Sequence, residues 1–240
     1  MRKEVMLETI ALRSGYGGKP VLQGVDMSVR QGEIVAVIGR NGVGKSTLMK
    51  SLIGLLPPQN GSVLFEGAEI GALSAHRRAR LGIGYVPQGR DVFPRMSVVE
   101  NLLVGQSIDG SGQADARKRL GQIYGYFPIL EERRDQRAGT LSGGQQQQLA
   151  IGRVLMGGPS LILLDEPSEG IQPNIVQDIA RIMVELNRET GITVVFVEQN
   201  LDMIRAMTER CYVMDKGAVI AEIGAEVLQD RDAVRRYLAV

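Results

Sequence analysis

One cysteine, one histidine and a net charge of only +1 in 240 residues set the first limits on this chain. With Cys211 alone there can be no internal disulfide, which suits a reducing compartment. No second cysteine or neighbouring histidine makes Cys211 half of a metal-ligand pair, so Cys211-Tyr212-Val213-Met214 reads as a strand with a structural thiol. The lone histidine, His76, precedes Arg77-Arg78-Ala79-Arg80 and reads as a solvated helix residue. Arg77-Arg78 and Arg133-Arg134 read as solvated faces. Near-zero net charge supplies no global field for nucleic acid or an anionic membrane. No apolar run approaches the ~20 residues that a membrane span needs. Met1-Arg2-Lys3-Glu4 leads into no long apolar core, so no signal peptide is expected. Internal repeats, long heptads and zinc-ligand clusters are also missing.

What is present alternates between strand and helix. Residues 5–30 have strand character, broken by a Gly15-Tyr16-Gly17-Gly18 turn, and residues 21–29 alternate as a half-exposed antiparallel strand does. Strands are expected at 34–38, 62–65, 83–86, 161–164 and 192–197, and helices at 48–56, 144–156 and 174–187. From Gly89 to about Thr140 strands vanish, and helical segments at 97–105 and 114–126 are separated by Gly, Ser and Pro. The pattern predicts a single α/β domain over 1–240: a parallel sheet wrapped by helices, an N-terminal antiparallel β subdomain, and an α-helical subdomain inserted at about 89–157.

Three motifs carry chemistry. Gly39-Arg40-Asn41-Gly42-Val43-Gly44-Lys45-Ser46-Thr47 fits G-x-x-x-x-G-K-[ST] between an apolar strand and a helix start. Its glycines let backbone N–H groups face an anion at a helix N-terminus. Lys45 would reach the β- and γ-phosphates, and the Ser46 hydroxyl would coordinate Mg²⁺. Leu161-Ile162-Leu163-Leu164-Asp165-Glu166 ends a buried strand in two carboxylates, at the edge where open α/β sheets bind ligands. Asp165 would hold Mg²⁺ through a water, and Glu166 would polarise the water attacking the γ-phosphate. Taken alone the pair also fits an acidic turn. Leu141-Ser142-Gly143-Gly144-Gln145 opens a helix with a second anion-binding N-terminus. By itself this too fits a plain capped helix start.

Together and in this order, the three motifs resemble the ATP-binding subunits of ABC transporters across nearly the whole chain. The resemblance implies a P-loop ABC-type ATPase using ATP and Mg²⁺, paired head to tail with a second ABC ATPase subunit. Whether that second subunit is a paralogue or a copy stays open. Ser142, Gly143, Gly144 and Gln145 of each subunit would then close over the ATP held by the other. Tyr16 sits where the family stacks an aromatic on adenine, although a tyrosine in a strand turn would look the same. Gln88, in Val86-Pro87-Gln88-Gly89, matches the glutamine that touches Mg²⁺ and links the core to the helical insertion.

Departures from the family pattern are informative. Where most members place a histidine against the γ-phosphate, the chain reads Val197-Glu198-Gln199-Asn200, leaving Gln199 to donate without becoming cationic. After Glu166, Glu169-Gly170-Ile171-Gln172 replaces the common S-A-L-D. The switch segment and the run from Gly89 to Leu102 resemble the importers of branched-chain amino acids, urea and short amides. The runs 141–151 and 166–173 most resemble the urea members. This implies an ATPase peripheral to the cytoplasmic face of the plasma membrane, with two integral permeases and a periplasmic or extracellular solute-binding protein, and no nucleic acid. A soluble ABC ATPase of an assembly or DNA-maintenance complex is the alternative.

Overall fold

The computed structural model describes residues 4–107, 113–208, 210–230 and 233–234; the Met1-Arg2-Lys3 start lies outside them. In chain order the strands are β1 (Val5–Tyr16), β2 (Lys19–Arg30), β3 (Ile34–Ile38), β4 (Asn60–Phe65), β5 (Ala68–Glu69), β6 (Ile83–Val86), β7 (Leu161–Asp165), β8 (Thr193–Val197), β9 (Arg210–Asp215) and β10 (Ala218–Gly224). The helices are α1 (Lys45–Ile53), α2 (Ala75–Arg80), α3 (Val98–Gln106), α4 (Gln113–Tyr126), α5 (Pro128–Glu132), α6 (Gly143–Leu155), α7 (Pro173–Thr190), α8 (Leu201–Met207) and α9 (Ala225–Gln229). The strands form a four-stranded antiparallel sheet, β2-β1-β4-β5, and a six-stranded sheet, β10-β9-β3-β8-β7-β6. The second is parallel from β9 to β6, with β10 antiparallel at its edge.

A period of two divides the interior into two cores. Val35 and Val37 of β3, Leu161 and Leu163 of β7, and Val195 and Val197 of β8 face α1 and the antiparallel sheet. The intervening residues Ala36, Ile38, Ile162, Leu164, Val194 and Phe196 face the other core, with α6, α7 and the helical segments. Strands buried on both faces must read as unbroken apolar runs, as these do.

The helices follow from spacing and caps. In α7, Val176, Ile179, Ala180, Met183 and Leu186 line one buried face, Pro173 sits in the first turn, and Gly191 ends the helix at φ 72. Ser97 caps α3 in a reciprocal box with Glu100. Among the described residues, the chain between β6 and β7 forms no strand.

Three sequence readings meet different outcomes. His76 is an exposed residue of α2, as expected, and Cys211 is buried in β9. Arg78, however, is fully buried rather than a solvated face. Its guanidinium donates to the carbonyls of Ser51 (2.7 Å) and Leu52 (2.8 Å) at the end of α1, and to those of Leu73 and Gly71. A cation at a helix C-terminus satisfies carbonyls that lack an intrahelical partner. An Arg-Arg-Ala-Arg run does not reveal which of its arginines turns inward.

Candidate functional site

Three neighbouring parallel strands end in one row, where Val37 pairs with Val197 and Val197 with Asp165. Parallel direction brings their C-terminal ends to a common edge, so whatever follows each strand meets there. β3 delivers the glycine loop and α1, β7 delivers Asp165 and Glu166, and β8 delivers Glu198 and Gln199.

The loop after β3 has no room for a side chain at its first position. Gly39 has φ 152, and a Cβ there would lie 2.4 Å from the Met214 carbonyl oxygen. Gly44 opens α1 without any side-chain cap and without an acidic residue in the first turn. The N-terminal N–H groups of α1 are thus left for an external acceptor, which fits a phosphate. Val43 is buried and its carbonyl accepts from Gly217 N, so it contributes packing and backbone, while Arg40 is exposed.

Lys45 is only 4% exposed. Its Nζ donates to the carbonyls of Gly39 and Arg40, each at 2.9 Å, and lies 3.7 Å from Glu166 Oε1. Burial lowers its pKa, and the carboxylates of Glu166, Asp165 and Glu198 work against that shift. Asp165, 2% exposed, accepts from Ser46 Oγ at 3.0 Å and from the Tyr85 hydroxyl at 3.2 Å. Burial raises its pKa, and the two hydrogen bonds oppose the rise. Tyr85 is pushed the other way from usefulness as an acid: burial, then Asp165, raises its phenol pKa, so it acts as a neutral donor.

Glu166 takes a left-handed backbone, φ 47, with its N–H donating to the Val197 carbonyl at 3.0 Å. Such a conformation in a non-glycine residue costs about 1 kcal/mol or more and orients the side chain. Its Oε1 accepts from Gln199 Nε2 at 3.1 Å, and its Oε2 faces Gln88 Nε2 at 3.5 Å. Gln199 Nε2 also donates to Asn41 Oδ1 at 2.6 Å, tying the end of β8 to the glycine loop. Asn41, Gly44, Lys45, Ser46, Gln88 and Glu166 are among the residues lining one cleft of about 330 Å³. Gly42, Thr47 and Glu169 line it too. A nucleotide phosphate tail fits that donor set. The oxygen donors of Ser46, Gln88 and Asp165, with a single carboxylate, suit a hard divalent cation that takes its remaining ligands from phosphate and water.

Two expected groups stand apart from the cleft lining. Tyr16 closes β1 at the hairpin turn, half exposed. Ser142 caps α6 in a reciprocal box with Gln145: Gln145 N donates to Ser142 Oγ at 3.3 Å, and Ser142 N to Gln145 Oε1 at 2.9 Å. Gly144 lets α6 pack on α7, since a Cβ there would meet Ile175 at 2.7 Å. Gly143 lies against the guanidinium of Arg90, which donates to the Glu169 carbonyl at 2.7 Å.

Sequence reasoning missed three contributors. Glu198, 3% exposed, accepts from the N–H groups of Gln199 (2.7 Å), Asn200 (3.0 Å) and Ser168 (3.1 Å). Its carboxylate therefore joins the Gln199 segment to the loop after Glu166. A glutamate directly following the apolar β8 was the available signal. Tyr85 gave none and Glu169 stood out only as a departure in the loop after Glu166, because each matters through a partner about eighty residues away.

Comparison with known proteins places relatives beside this fold. A family model described as "ABC transporter" matches residues 22–169. The chain is 42% identical to the high-affinity branched-chain amino acid transport ATP-binding protein BraG of Pseudomonas aeruginosa, over 97% of this chain and 99% of that one. It is 38% identical to the lipopolysaccharide export system ATP-binding protein LptB of Escherichia coli K12, over 95% of this chain and 94% of that one. Among solved structures, a dimeric post-hydrolysis state of the ATP-binding cassette MJ0796, bound to ADP and Pi, superposes with a TM-score of 0.82 at 26% identity. That match covers 92% of this chain and 99% of the other.

Proposed function

This chain belongs to the ABC transporter family as an ATP-hydrolysing subunit, and from that premise we propose that it powers an importer of a small polar solute such as a branched-chain amino acid, urea or a short amide. The observation that carries the uptake reading is the 42% identity to a branched-chain amino acid transport protein across essentially the full length. The runs 141–151 and 166–173 are the support for urea within that branch.

Roles for the residues follow from their contacts. The backbone of residues 39–44 and the open start of α1 bind the β- and γ-phosphates, and Lys45 exchanges its carbonyl partners for a phosphate oxygen. Mg²⁺ would be held by Ser46, Gln88 and, through a water, Asp165, and supplies neutralisation of charge on the transferring phosphoryl group. Glu166 orients the attacking water and takes its proton, while Gln199 donates from Nε2 to the γ-phosphate in place of Asn41. Tyr16 stacks on adenine, a contact worth about 1–3 kcal/mol. Ser142, Gly143, Gly144 and Gln145 complete the site of the other ATPase in a head-to-tail dimer, with Ser142 Oγ and the α6 N-terminus toward its phosphate.

ABC ATPases work as dimers with membrane permease subunits, and no helix among the described residues is long and apolar enough to cross a membrane. We place the chain on the cytoplasmic face of the membrane, beneath two integral permeases served by a solute-binding protein.

Purification from detergent-solubilised membranes, with identification of the partners, tests this reading. Integral permeases, and ATPase activity in proteoliposomes that rises with a solute-loaded binding protein, are the expected result. Purely soluble partners would overturn the transport coupling proposed for the complex. Permeases whose ATPase responds to an outward-bound lipid, as with an export system, would overturn uptake.

A further inference from the structure

Gln88 must present oxygen to a metal, yet its amide has two chemically opposite ends. Only Oε1 has lone pairs to offer a cation, and Nε2 only donates. In the structure Nε2 donates to Glu169 Oε2 at 3.0 Å and, more weakly, approaches Glu166 Oε2 at 3.5 Å. A carboxylate accepts and cannot donate, so these two partners settle which way the amide faces. Oε1 has no protein donor among the described residues. Glu169 holds this position firmly because its own backbone is pinned. Its carbonyl accepts from Arg90 Nη2 at 2.7 Å, and the carbonyls of Arg90 and Asp91 in turn accept from Arg153. Glu169 also lines the nucleotide cleft.

We infer that Glu169 is a positioning residue for Gln88, holding the Nε2 end so that the Oε1 end is the one offered to the divalent cation. The inference rests on the reading of Gln88 as a cation ligand given above. Glu166 alone is a poor substitute, since its Oε2 is the more distant acceptor and its Oε1 is engaged by Gln199 and Lys45. Groups that orient metal ligands typically change metal affinity by about 10- to 100-fold when removed.

The test uses the full chain with a non-hydrolysable ATP analogue and Mn²⁺ as the probe, free Mn²⁺ being read by electron paramagnetic resonance. Gln88 and Glu169 are both exposed, so their variants should fold, and the nucleotide-free unfolding midpoint checks this. Glu169→Ala should weaken Mn²⁺ binding about 10-fold and add nothing in a Gln88→Ala background. Glu169→Gln should retain most of the affinity, because an amide oxygen still accepts from Nε2. Wild-type Mn²⁺ affinity in Glu169→Ala, an equal loss when Gln88 is already alanine, or a Glu169→Gln loss as large as that of alanine would each overturn the inference. If Gln88→Ala itself leaves Mn²⁺ affinity unchanged, the reading of Gln88 falls and takes this one with it. If Gln88→Ala weakens binding and Glu169→Ala does not, only the role of Glu169 falls.

Discussion

Lys45 is bonded to two carbonyls of its own loop, which keeps a buried cation satisfied at the cleft it lines. Lys45→Ala should therefore weaken Mg·ATP binding by roughly 10- to 100-fold, the cost of one lost hydrogen bond to a charged group. Isothermal titration at fixed Mg²⁺ checks it; unchanged affinity in a folded variant would remove the phosphate-loop assignment. Gln199→Ala loses a donor placed 3.1 Å from Glu166, the proposed base, and should slow hydrolysis by about one to two orders of magnitude. Steady-state ATPase assays of the assembled complex decide this, and turnover equal to wild type would strike Gln199 from the site. Burial pushes the Cys211 thiol up to about 12 from 9.0, with Arg210 pulling the other way. The native state thus holds this proton more tightly than the unfolded state. Its contribution to stability is full below pH 9 and is lost as pH climbs through the window up to about 12. At pH 8 the thiol should react with an aromatic disulfide reagent only as fast as the chain unfolds. Rapid labelling of the folded protein would contradict its place in β9.

At the scale of the element, the two ends of α1 are finished differently. Its start, the proposed phosphate cradle, has no side-chain cap, and its end is closed by Arg78 from α2. Gly54 makes that closure possible: it has φ 84, and a Cβ there would sit 2.8 Å from Arg78 Nε. Among the described residues no carboxylate is bonded to Arg78, so helix carbonyls and the helix dipole carry the charge. Arg78→Ala should destabilise the chain by about 3 kcal/mol, because several buried carbonyls lose their donor at once. Arg78→Lys should recover only part of this, since an ammonium lacks the planar fork. Urea unfolding curves measure both, and a loss below about 0.5 kcal/mol in the alanine variant would show that water replaces the guanidinium.

For the whole molecule, the hydrogen bonds of Ser142 and those of the cleft form separate sets, with Gly143 against Arg90, which bonds the Glu169 carbonyl, between them. Ser142 and Gln145 bond to each other, while Glu166, Gln88, Lys45 and Gln199 form one connected set. Separate sets suit the proposed composite site between two subunits. Glu166→Gln keeps the shape of the site and removes the proposed base, so it should bind ATP while hydrolysis falls by about 10²- to 10⁴-fold. With Mg·ATP it should accumulate as a closed dimer, alone or with its paralogue. Gel filtration and ATPase assays together check this, and wild-type turnover would end the assignment of Glu166 as base.

The sequence by itself determined the features written in neighbouring residues. The phosphate loop, the Asp165-Glu166 pair and the Ser142 helix start each fit within ten residues, and their strand and helix contexts follow from local periodicity. Even the split into two cores is implicit in the unbroken apolar strands, because alternate residues of a strand must face opposite sides. Tertiary structure decided which polar side chains meet across distance. Glu198 joins Ser168, Glu169 takes Gln88, Tyr85 reaches Asp165 and Arg78 turns into the end of α1. No spacing announces these pairs, since each partner lies between 26 and 81 residues away along the chain. The parallel register of β6, β7, β8 and β3 brings the first three of these pairs to one sheet edge, and the packing of α2 on the end of α1 brings in Arg78.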